Sequence, residues 1–132
     1  MARVYRKRPD FQFLLSKATS DRSLEQITLK ESATVYEAGS VVAAEYVTVG
    51  SGEDATREAS GLYVRLTDAI LAADDPIDVA IVGPRTIATE NDAPTLAVVR
   101  DAEVKGFELE LAAGVTIDEA AAPLKAQGIV IR

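Results

Sequence analysis

The sequence has no cysteine, no histidine and no tryptophan among its 132 residues. Without cysteine, disulfides and thiolate metal sites are excluded. Without histidine, the Ser-His-Asp and Cys-His nucleophilic schemes and imidazole zinc sites are excluded, and the usual general base near neutral pH is missing. Catalysis would have to use carboxylates, lysine, tyrosine, serine or threonine, or a metal held by carboxylates. These absences remove most of the common hydrolase designs.

Aromatic residues and long apolar runs are also scarce. Aromatic residues make up 5% of a chain that is 48% hydrophobic, so the core must be built from Val, Ile, Leu and Ala. No run approaches the roughly 20 apolar residues that cross a bilayer, so no membrane partner is expected. The apolar stretch Phe11–Leu15 is shorter than the core of a signal peptide, about 7–15 residues, and we expect it to be retained.

Charge is unevenly distributed along the chain. Residues 1–22 carry six basic and two acidic side chains, whereas residues 23–132 carry eight basic and nineteen acidic ones. The predicted domains are therefore an N-terminal arm, 1–20, and a β-rich domain, 21–132. An acidic body would repel DNA, and no groove-reading motif follows the arm. We expect the arm to bind an acidic protein surface rather than a nucleic acid.

Short strands separated by glycine and proline turns are predicted along most of the chain. They are expected at Ile27 and Leu29, from Val41, at 61–66, at 77–82, from Leu96 to Val104, from Phe107 to Leu111, and at 129–132. In the Phe107–Leu111 stretch the apolar residues alternate with Glu108 and Glu110, which predicts a strand with one wet face. Residues 67–76 fit either two helical turns or a loop with a single turn.

One helix is predicted near the C-terminus. Thr116 and Glu119 match a capping box, in which each side chain satisfies a backbone donor of the other residue. An alanine-rich helix follows, divided or kinked at Pro123 and ended by Gly128. The predicted fold class is mainly β (α+β), a small barrel-like or clip-like domain of short strands with one C-terminal helix and an extended N-terminal arm.

Arg100, Asp101 and Glu103 form the most suggestive cluster for catalysis. In an extended strand Asp101 and Glu103 share one face, where paired carboxylates could bind a divalent cation or act as acid and base. The alternative is a solvated strand end with a local ion pair, which contributes well under about 1 kcal/mol. With no histidine and no second carboxylate cluster, the solvated strand end is the favoured interpretation.

Other acidic and glycine-rich stretches give no specific signal. The pairs Asp74-Asp75 and Glu53-Asp54 lack the spacing of an EF-hand calcium loop. The stretch "VGSGED", residues 49–54, lacks the lysine of a P-loop and the third glycine of a dinucleotide fingerprint. No catalytic or metal site is therefore predicted from the residues.

A basic cluster, Arg3, Arg6, Lys7 and Arg8, is followed by the apolar residues Phe11, Phe13, Leu14 and Leu15. They are too apolar for an arm that stays in water, which suggests anchors for a partner protein. Packing against the chain's own body is the equally weighted alternative.

Two long segments resemble the lambda-type bacteriophage head decoration protein family. The text "APTLAVVRDAEVKGFELELAAGVT" and the closing "LKAQGIVIR", within 93–132, are similar to the family's C-terminal half, with its V-V-R-D-A-E-V run, A-G-[IV]-T step and final G-I-x-x-R. "FLLSKATSDRS" followed by "ITLKESATVYEAGSVV" is similar to its N-terminal half. The resemblance covers about 11–44 and 78–132. It departs in a longer middle, 45–60, expected to be an extended hairpin or loop, and in Pro123. The family places a polar loop at 67–76.

The resemblance implies a structural protein and not an enzyme, with no cofactor and no metal. Members have a β-clip-like domain, form homotrimers and bind the major capsid protein on the outer surface of the expanded head. They do so at three-fold and quasi-three-fold positions, where they stabilise the shell against DNA pressure. The expected location is the virion, after synthesis in the host cytoplasm.

The family's N-terminal arm orders on the shell and adds to the capsid protein's sheet. Carried over, the arm corresponds to about Ala2–Lys17. The implied capsid contacts are Arg3, Val4, Tyr5, Arg6, Lys7, Arg8, Phe11, Phe13 and Leu14.

Two other functions remain as alternatives. A trimeric β-clip nucleotide hydrolase would need a carboxylate-bound magnesium site and a nucleotide-reading loop, and the sequence offers neither signal. Another small β-rich binding module, such as a biotinyl- or lipoyl-type carrier, would need a lysine at a hairpin tip. Lys105 occupies a predicted turn but lacks the flanking residues of a carrier motif.

Overall fold

The computed structural model describes residues 9–18, 22–73 and 75–132. Among these described residues, strand accounts for 41% and helix for 18%, which confirms the mainly β class with short strands and a C-terminal helix. The strands are β1 Leu14–Lys17, β2 Leu24–Leu29, β3 Val41–Val49, β4 Thr56–Arg65, β5 Val79–Val82, β6 Ala93–Val98, β7 Ala102–Val104 and β8 Ile129–Ile131. The helices are α1 Asp68–Ala72 and α2 Ile117–Ala126.

Five strands close into a barrel in the order β2-β4-β3-β5-β6, with β6 pairing antiparallel to β2. All five contribute side chains to one apolar cluster, which therefore fills the barrel. Its members are Ile27, Leu29, Tyr36, Val42, Ala80, Val82, Ala88, Ala97 and Val99, with Tyr63 and Ala93 packed against them. Tyr36 and Ala88 come from loops and complete this interior.

A second apolar cluster lies on the outside of the barrel. Val41 and Ala43 of β3, and Val79 and Ile81 of β5, point away from the interior into this cluster. This explains why the sequence of β5 is a continuous apolar run, since a strand buried on both faces does not alternate. The covering layer is the three-stranded sheet β1-β7-β8 together with α2.

Helix α2 begins at the predicted capping box. Glu119 N donates to Thr116 Oγ1 at 3.2 Å, and Thr116 N donates to Glu119 Oε1 at 3.0 Å. Gly128, at φ +80°, follows the C-cap residue as expected. Pro123 lies inside the helix without dividing it. A proline there removes the hydrogen bond to the Glu119 carbonyl, but Glu119 is exposed and water can replace that bond.

The prediction of one strand from Leu96 to Val104 is wrong, because the chain turns between Val98 and Ala102. Asp101 adopts a left-handed φ of +48° and separates β6 from β7. Ser23, fully buried, holds this turn by donating from Oγ to the Asp101 carbonyl at 2.9 Å. The strand is therefore interrupted by a contact with a residue about 80 positions away in the sequence.

The prediction of a strand from Phe107 to Leu111 is also wrong. Gly106–Glu108 is a 3₁₀ turn, and only Glu110 makes an isolated bridge, to Ser40. Phe107 is 77% exposed while Leu109 is buried, so the two side chains do not share a face. The cause is the turn at Gly39, whose carbonyl accepts from Glu110 N at 2.8 Å and holds Glu110 beside the start of β3.

Strands β3 and β4 form a long hairpin that includes the predicted extended segment, 45–60. The strand expected at 61–66 begins earlier, at Thr56, because it pairs with the outer half of β3. Residues 47–61 are exposed on both faces of this hairpin. Segment 67–76 contains the short α1, whose N-cap Thr67 accepts from Ile70 N at 3.3 Å.

Within the described ranges, no helix has the length and apolar character needed to span a membrane.

Candidate functional site

The predicted capsid contacts divide into two groups. Arg3, Val4, Tyr5, Arg6, Lys7 and Arg8 lie outside the described residues. Phe11, Phe13 and Leu14 are described, and all three pack on the chain's own body. Phe13 is 1% exposed in the outer cluster. For these three residues the geometry thus corresponds to the alternative in which the apolar segment packs internally.

Phe11 lies flat against Gly83, next to the end of β5. Its backbone N donates to the Gly83 carbonyl at 3.1 Å. A Cβ on Gly83 would lie 2.2–2.6 Å from three carbons of the Phe11 ring, so only glycine leaves room for this contact. Phe11 has a left-handed φ of +56°, which is unusual for a bulky residue. Its ring centre is 6.1 Å from that of Phe13.

Strand β1 attaches the following residues to β7. Leu14 pairs with Val104 and Lys17 with Ala102, with a register shift between Leu14 and Ser16. Lys105 N donates to the Phe13 carbonyl at 2.8 Å. The described part of the predicted 1–20 arm is therefore held to the domain by backbone hydrogen bonds as well as by core contacts.

The charged cluster at 100–103 is not brought together. Arg100 donates from Nη2 to Glu25 at 2.9 Å, and Asp101 lies 3.7 Å from Arg22. Glu103 accepts from Arg132 Nη2 at 2.7 Å. Each group has a separate ion-pair partner, in agreement with the interpretation as solvated surface charges.

Glu103 has the clearest carboxylate perturbation. The hydrogen bond and charge of Arg132 lower the pKa of the Glu103 carboxyl below its ordinary value, with a smaller contribution from the Ser16 hydroxyl. This ion pair joins β7 to the residue after β8 on the outer face of the small sheet. A lowered pKa with a surface cation beside it describes a structural ion pair rather than a general base.

The described residues of the other acidic pairs lie exposed at the surface. Glu53 and Asp54 lie exposed in the 3₁₀ turn at the tip of the β3–β4 hairpin. Asp75 lies 3.8 Å from Arg57 Nε, and Asp74 is outside the described residues. No group of three or more acidic side chains within the described ranges stands close enough together to hold a metal ion.

An arginine–tyrosine contact that the sequence analysis missed is made by Arg65, which lines a surface cavity of about 330 Å³. The Arg65 guanidinium carbon is 4.1 Å from the centre of the Tyr36 ring. Arg65 donates to Ser32 Oγ at 2.6 Å and to the Val35 carbonyl at 3.0 Å. These bonds tie the guanidinium at the end of β4 to the loop that contains Ser32 and Val35, so we assign it a structural role. The contacts join residues 30 positions apart, which no local pattern reveals.

A polar cleft of about 380 Å³ lies between β2, β4 and the start of β5. Tyr63 and Asp78 line it, and burial, with smaller contributions from Asp78 and Glu25, raises the pKa of the Tyr63 hydroxyl. The Gln127 amide closes one side through bonds to the backbone of Val79. A phenol whose pKa is raised stays protonated near neutral pH and is not activated as a base.

Several large apolar side chains remain exposed near the base of the arm. Leu15 is 48% exposed in β1, and Leu96, whose carbonyl accepts from Gly83 N, is 40% exposed. Phe107, at 77%, precedes Glu108, which accepts from the Gln12 amide at 3.4 Å. These side chains give the surrounding surface an apolar character.

The geometry defines a small β-barrel domain with a covering sheet and helix, in which Arg100, Asp101 and Glu103 each have a separate surface partner. The sequence of that domain matches the family model described as bacteriophage lambda head decoration protein D over residues 4–129. The chain belongs to the bacteriophage lambda head decoration protein D family. No curated protein and no solved structure matched the chain in the corresponding searches.

Proposed function

We propose that the protein binds as a homotrimer to the major capsid protein on the outer surface of the expanded phage head. In this proposal the trimers occupy three-fold and quasi-three-fold positions and stabilise the shell against the internal pressure of the DNA. The function is structural rather than catalytic. The family match over residues 4–129 is the observation that carries the proposal, and it includes most of the basic segment, residues 3–8.

The basic segment supplies the capsid contacts in this proposal. Arg3, Arg6, Lys7 and Arg8 would pair with carboxylates of the capsid protein, and Val4 and Tyr5 would make apolar contacts. Addition of this segment to a capsid sheet would give affinity through backbone hydrogen bonds and specificity through alternate side chains. Three arms on one trimer would then bind with avidity, because each bound arm raises the effective concentration of the next.

The described geometry supports a shorter capsid-binding segment than the sequence suggests. Phe13 could reach a capsid protein only by leaving the core, which would expose a side chain that is now 1% accessible. Leu14 would have to leave its pairing with Val104. We therefore assign the capsid contacts to residues 3–8. Phe11, Phe13 and Leu14 serve to fix the arm on the body.

The trimer and the β-clip classification rest on the same family relationship. The exposed apolar surface around Leu15, Leu96 and Phe107 offers area for a protein contact beside the arm. In solution, sedimentation equilibrium should give three times the chain mass of 14.0 kDa. A monomer at concentrations that decorate heads would contradict the homotrimer.

The decoration itself is tested with expanded heads that lack their decoration protein. Purified protein is mixed with these heads and with unexpanded proheads, and the bound fraction is measured by sedimentation and located by electron microscopy. We expect saturable density at three-fold positions on expanded heads and little on proheads. Absence of binding to either particle would contradict the proposed function.

A further inference from the structure

Phe11 and Gly83 make a contact that the fold itself does not require. The barrel is closed by β6 on β2, and the outer cluster is filled without the Phe11 ring, which packs only at its margin. Yet Phe11 adopts a φ of +56°, a conformation that a bulky residue takes only when its surroundings hold it there. Two contacts hold it: the Phe11 ring packs against Gly83, which has no side chain, and Phe11 N donates to the Gly83 carbonyl at 3.1 Å.

The residues on either side of Phe11 reinforce the same position. Gln12 N donates to the Pro9 carbonyl at 3.3 Å, and Leu14 N donates to the Phe11 carbonyl at 2.9 Å, which makes a compact turn. The ring of Phe13 is buried immediately afterwards. The chain is thus fixed twice within three residues, once on the barrel through Phe11 and once in the core through Phe13.

We propose that the docking of Phe11 on Gly83 is a positioning device that sets where residues 1–8 leave the body. The inference rests on the proposed function, in which those residues bind the capsid. The tether between the capsid-contacting residues 3–8 and the fixed point at Phe11 consists of residues 9–10. If Phe11 were released, Phe13 would be the nearest fixed point and the tether would consist of residues 9–12.

A longer tether lowers the effective concentration of the arm at its binding site. That concentration falls roughly as the −3/2 power of tether length once the tether exceeds the span. Lengthening the tether from two residues to four then weakens each arm that binds after the first about 3-fold, and a trimer, in which two arms bind after the first, about 8-fold. Phe11 is therefore a positioning residue for the arm and makes no capsid contact itself.

Two single variants and their combination test the contact on the free protein. Gly83 is not in the left-handed region, so alanine is compatible with its backbone, and the three atoms nearest to its Cβ would all belong to the Phe11 ring, at 2.2–2.6 Å. Gly83→Ala should displace the ring, and Phe11→Ala should remove it. In the double variant, Gly83→Ala should add nothing to Phe11→Ala, because the ring that it displaces is already absent.

The first readout is cleavage by a protease that cuts after aromatic residues, followed by mass spectrometry. Gly83→Ala should accelerate cleavage of the bond after Phe11 in proportion to the undocked population. Cleavage after Phe107, which is 77% exposed, provides an internal control and should not change. Equal protection of Phe11 in wild type and Gly83→Ala would overturn the proposal, even if no head were available.

The second readout is the affinity for expanded heads. Gly83→Ala, Phe11→Ala and the double variant should each bind about 8-fold more weakly than wild type. Ile87→Ala, in an exposed loop, is the matched control and should bind as wild type does. If wild type binds and all three variants bind as tightly as wild type, the positioning role is wrong and the decoration function stands. If wild type does not bind, the function is wrong, while the protease result still decides on the contact.

Discussion

The side-chain amide of Gln127 makes two hydrogen bonds to the backbone of Val79, one with its N–H and one with its carbonyl, as a neighbouring strand would. Val79 N donates to Gln127 Oε1 at 2.6 Å, and Gln127 Nε2 donates to the Val79 carbonyl at 2.7 Å. The same nitrogen donates to the Val99 carbonyl at 2.8 Å. One side chain at the end of α2 therefore connects the helix to β5 and to the segment after β6.

Gln127→Ala should lower the free energy of unfolding by about 2–4 kcal/mol, because it leaves buried backbone groups of Val79 and Val99 without partners. The measurement is urea denaturation followed by circular dichroism. Gln26→Ala, at an exposed position of β2, is the control and should change the free energy by less than about 0.5 kcal/mol. Equal effects of the two substitutions would show that the Gln127 bonds do not stabilise the fold.

Arg65→Lys should destabilise the protein although it conserves the charge. Lysine cannot stack on Tyr36 and bond to Ser32 and Val35 at the same time, since it lacks the planar fork. We expect a loss of about 1–3 kcal/mol in the free energy of unfolding. Arg22→Lys is the matched control, because the Arg22 side chain is 66% exposed and its ion pair with Asp101 is long. An unchanged midpoint for Arg65→Lys would contradict the structural role.

Alanine substitutions at Gly39 and Gly61 distinguish the cost of backbone strain from the cost of steric overlap. Both glycines have φ near +90°, but a Cβ on Gly61 meets nothing within 4 Å, whereas on Gly39 it would lie 2.5 Å from the Glu108 carbonyl oxygen. Gly61→Ala should cost about 1–2 kcal/mol from conformation alone. Gly39→Ala should cost about 1–3 kcal/mol more, because backbone must move. Thermal or urea unfolding of the two variants compares them directly. Equal costs would mean that the 106–111 segment does not pack on Gly39 as described.

Three tyrosines, Tyr36, Tyr46 and Tyr63, should ionise at higher pH in the folded protein than in the unfolded chain. Burial raises the pKa of Tyr36 and of Tyr63 above the ordinary value of 10.0, and burial together with the hydrogen bond to Asp78 raises that of Tyr46. A raised folded pKa means that the folded state holds the proton more tightly. The resulting stabilisation is complete below pH 10 and is lost as the pH rises through the folded pKa values.

Spectrophotometric titration of phenolate absorbance measures this difference. The native protein should show its main rise at higher pH than the same protein in concentrated urea. Tyr63→Phe should remove part of the delayed absorbance. Coincident native and denatured curves would contradict the buried environments of these hydroxyls.

Features set by neighbouring residues could be predicted from the sequence. The capping box of Thr116 and Glu119 joins residues three positions apart, so its pattern is complete within one turn of chain. Strands β2 and β5 follow from their own apolar content. Each of these elements needs little information from elsewhere in the chain.

Features that depend on residues far apart in the sequence could not be predicted from it. The break at Asp101 depends on Ser23, and the loss of the strand from Phe107 depends on Gly39. Ser23 lies outside the stretch Leu96 to Val104, and Gly39 lies outside Phe107 to Leu111, so neither contact appears in the pattern that predicted the strand. The apolar residues of the arm raise the same problem, because composition shows that Phe13 needs burial but not which protein buries it. The structure places it in the chain's own core.

Removal of residues 2–8 tests the central claim most directly. The shortened chain keeps Phe11, Phe13 and β1, so its unfolding midpoint should match that of the intact protein. Its binding to expanded heads, measured by co-sedimentation over a range of protein concentrations, should be strongly reduced. Substitution of Arg3, Arg6, Lys7 and Arg8 by alanine should reduce binding as well, and less so at high salt, where screening already weakens the wild type. If the chain without residues 2–8 decorates heads as tightly as the intact chain, the arm does not carry the capsid contacts and the account is wrong.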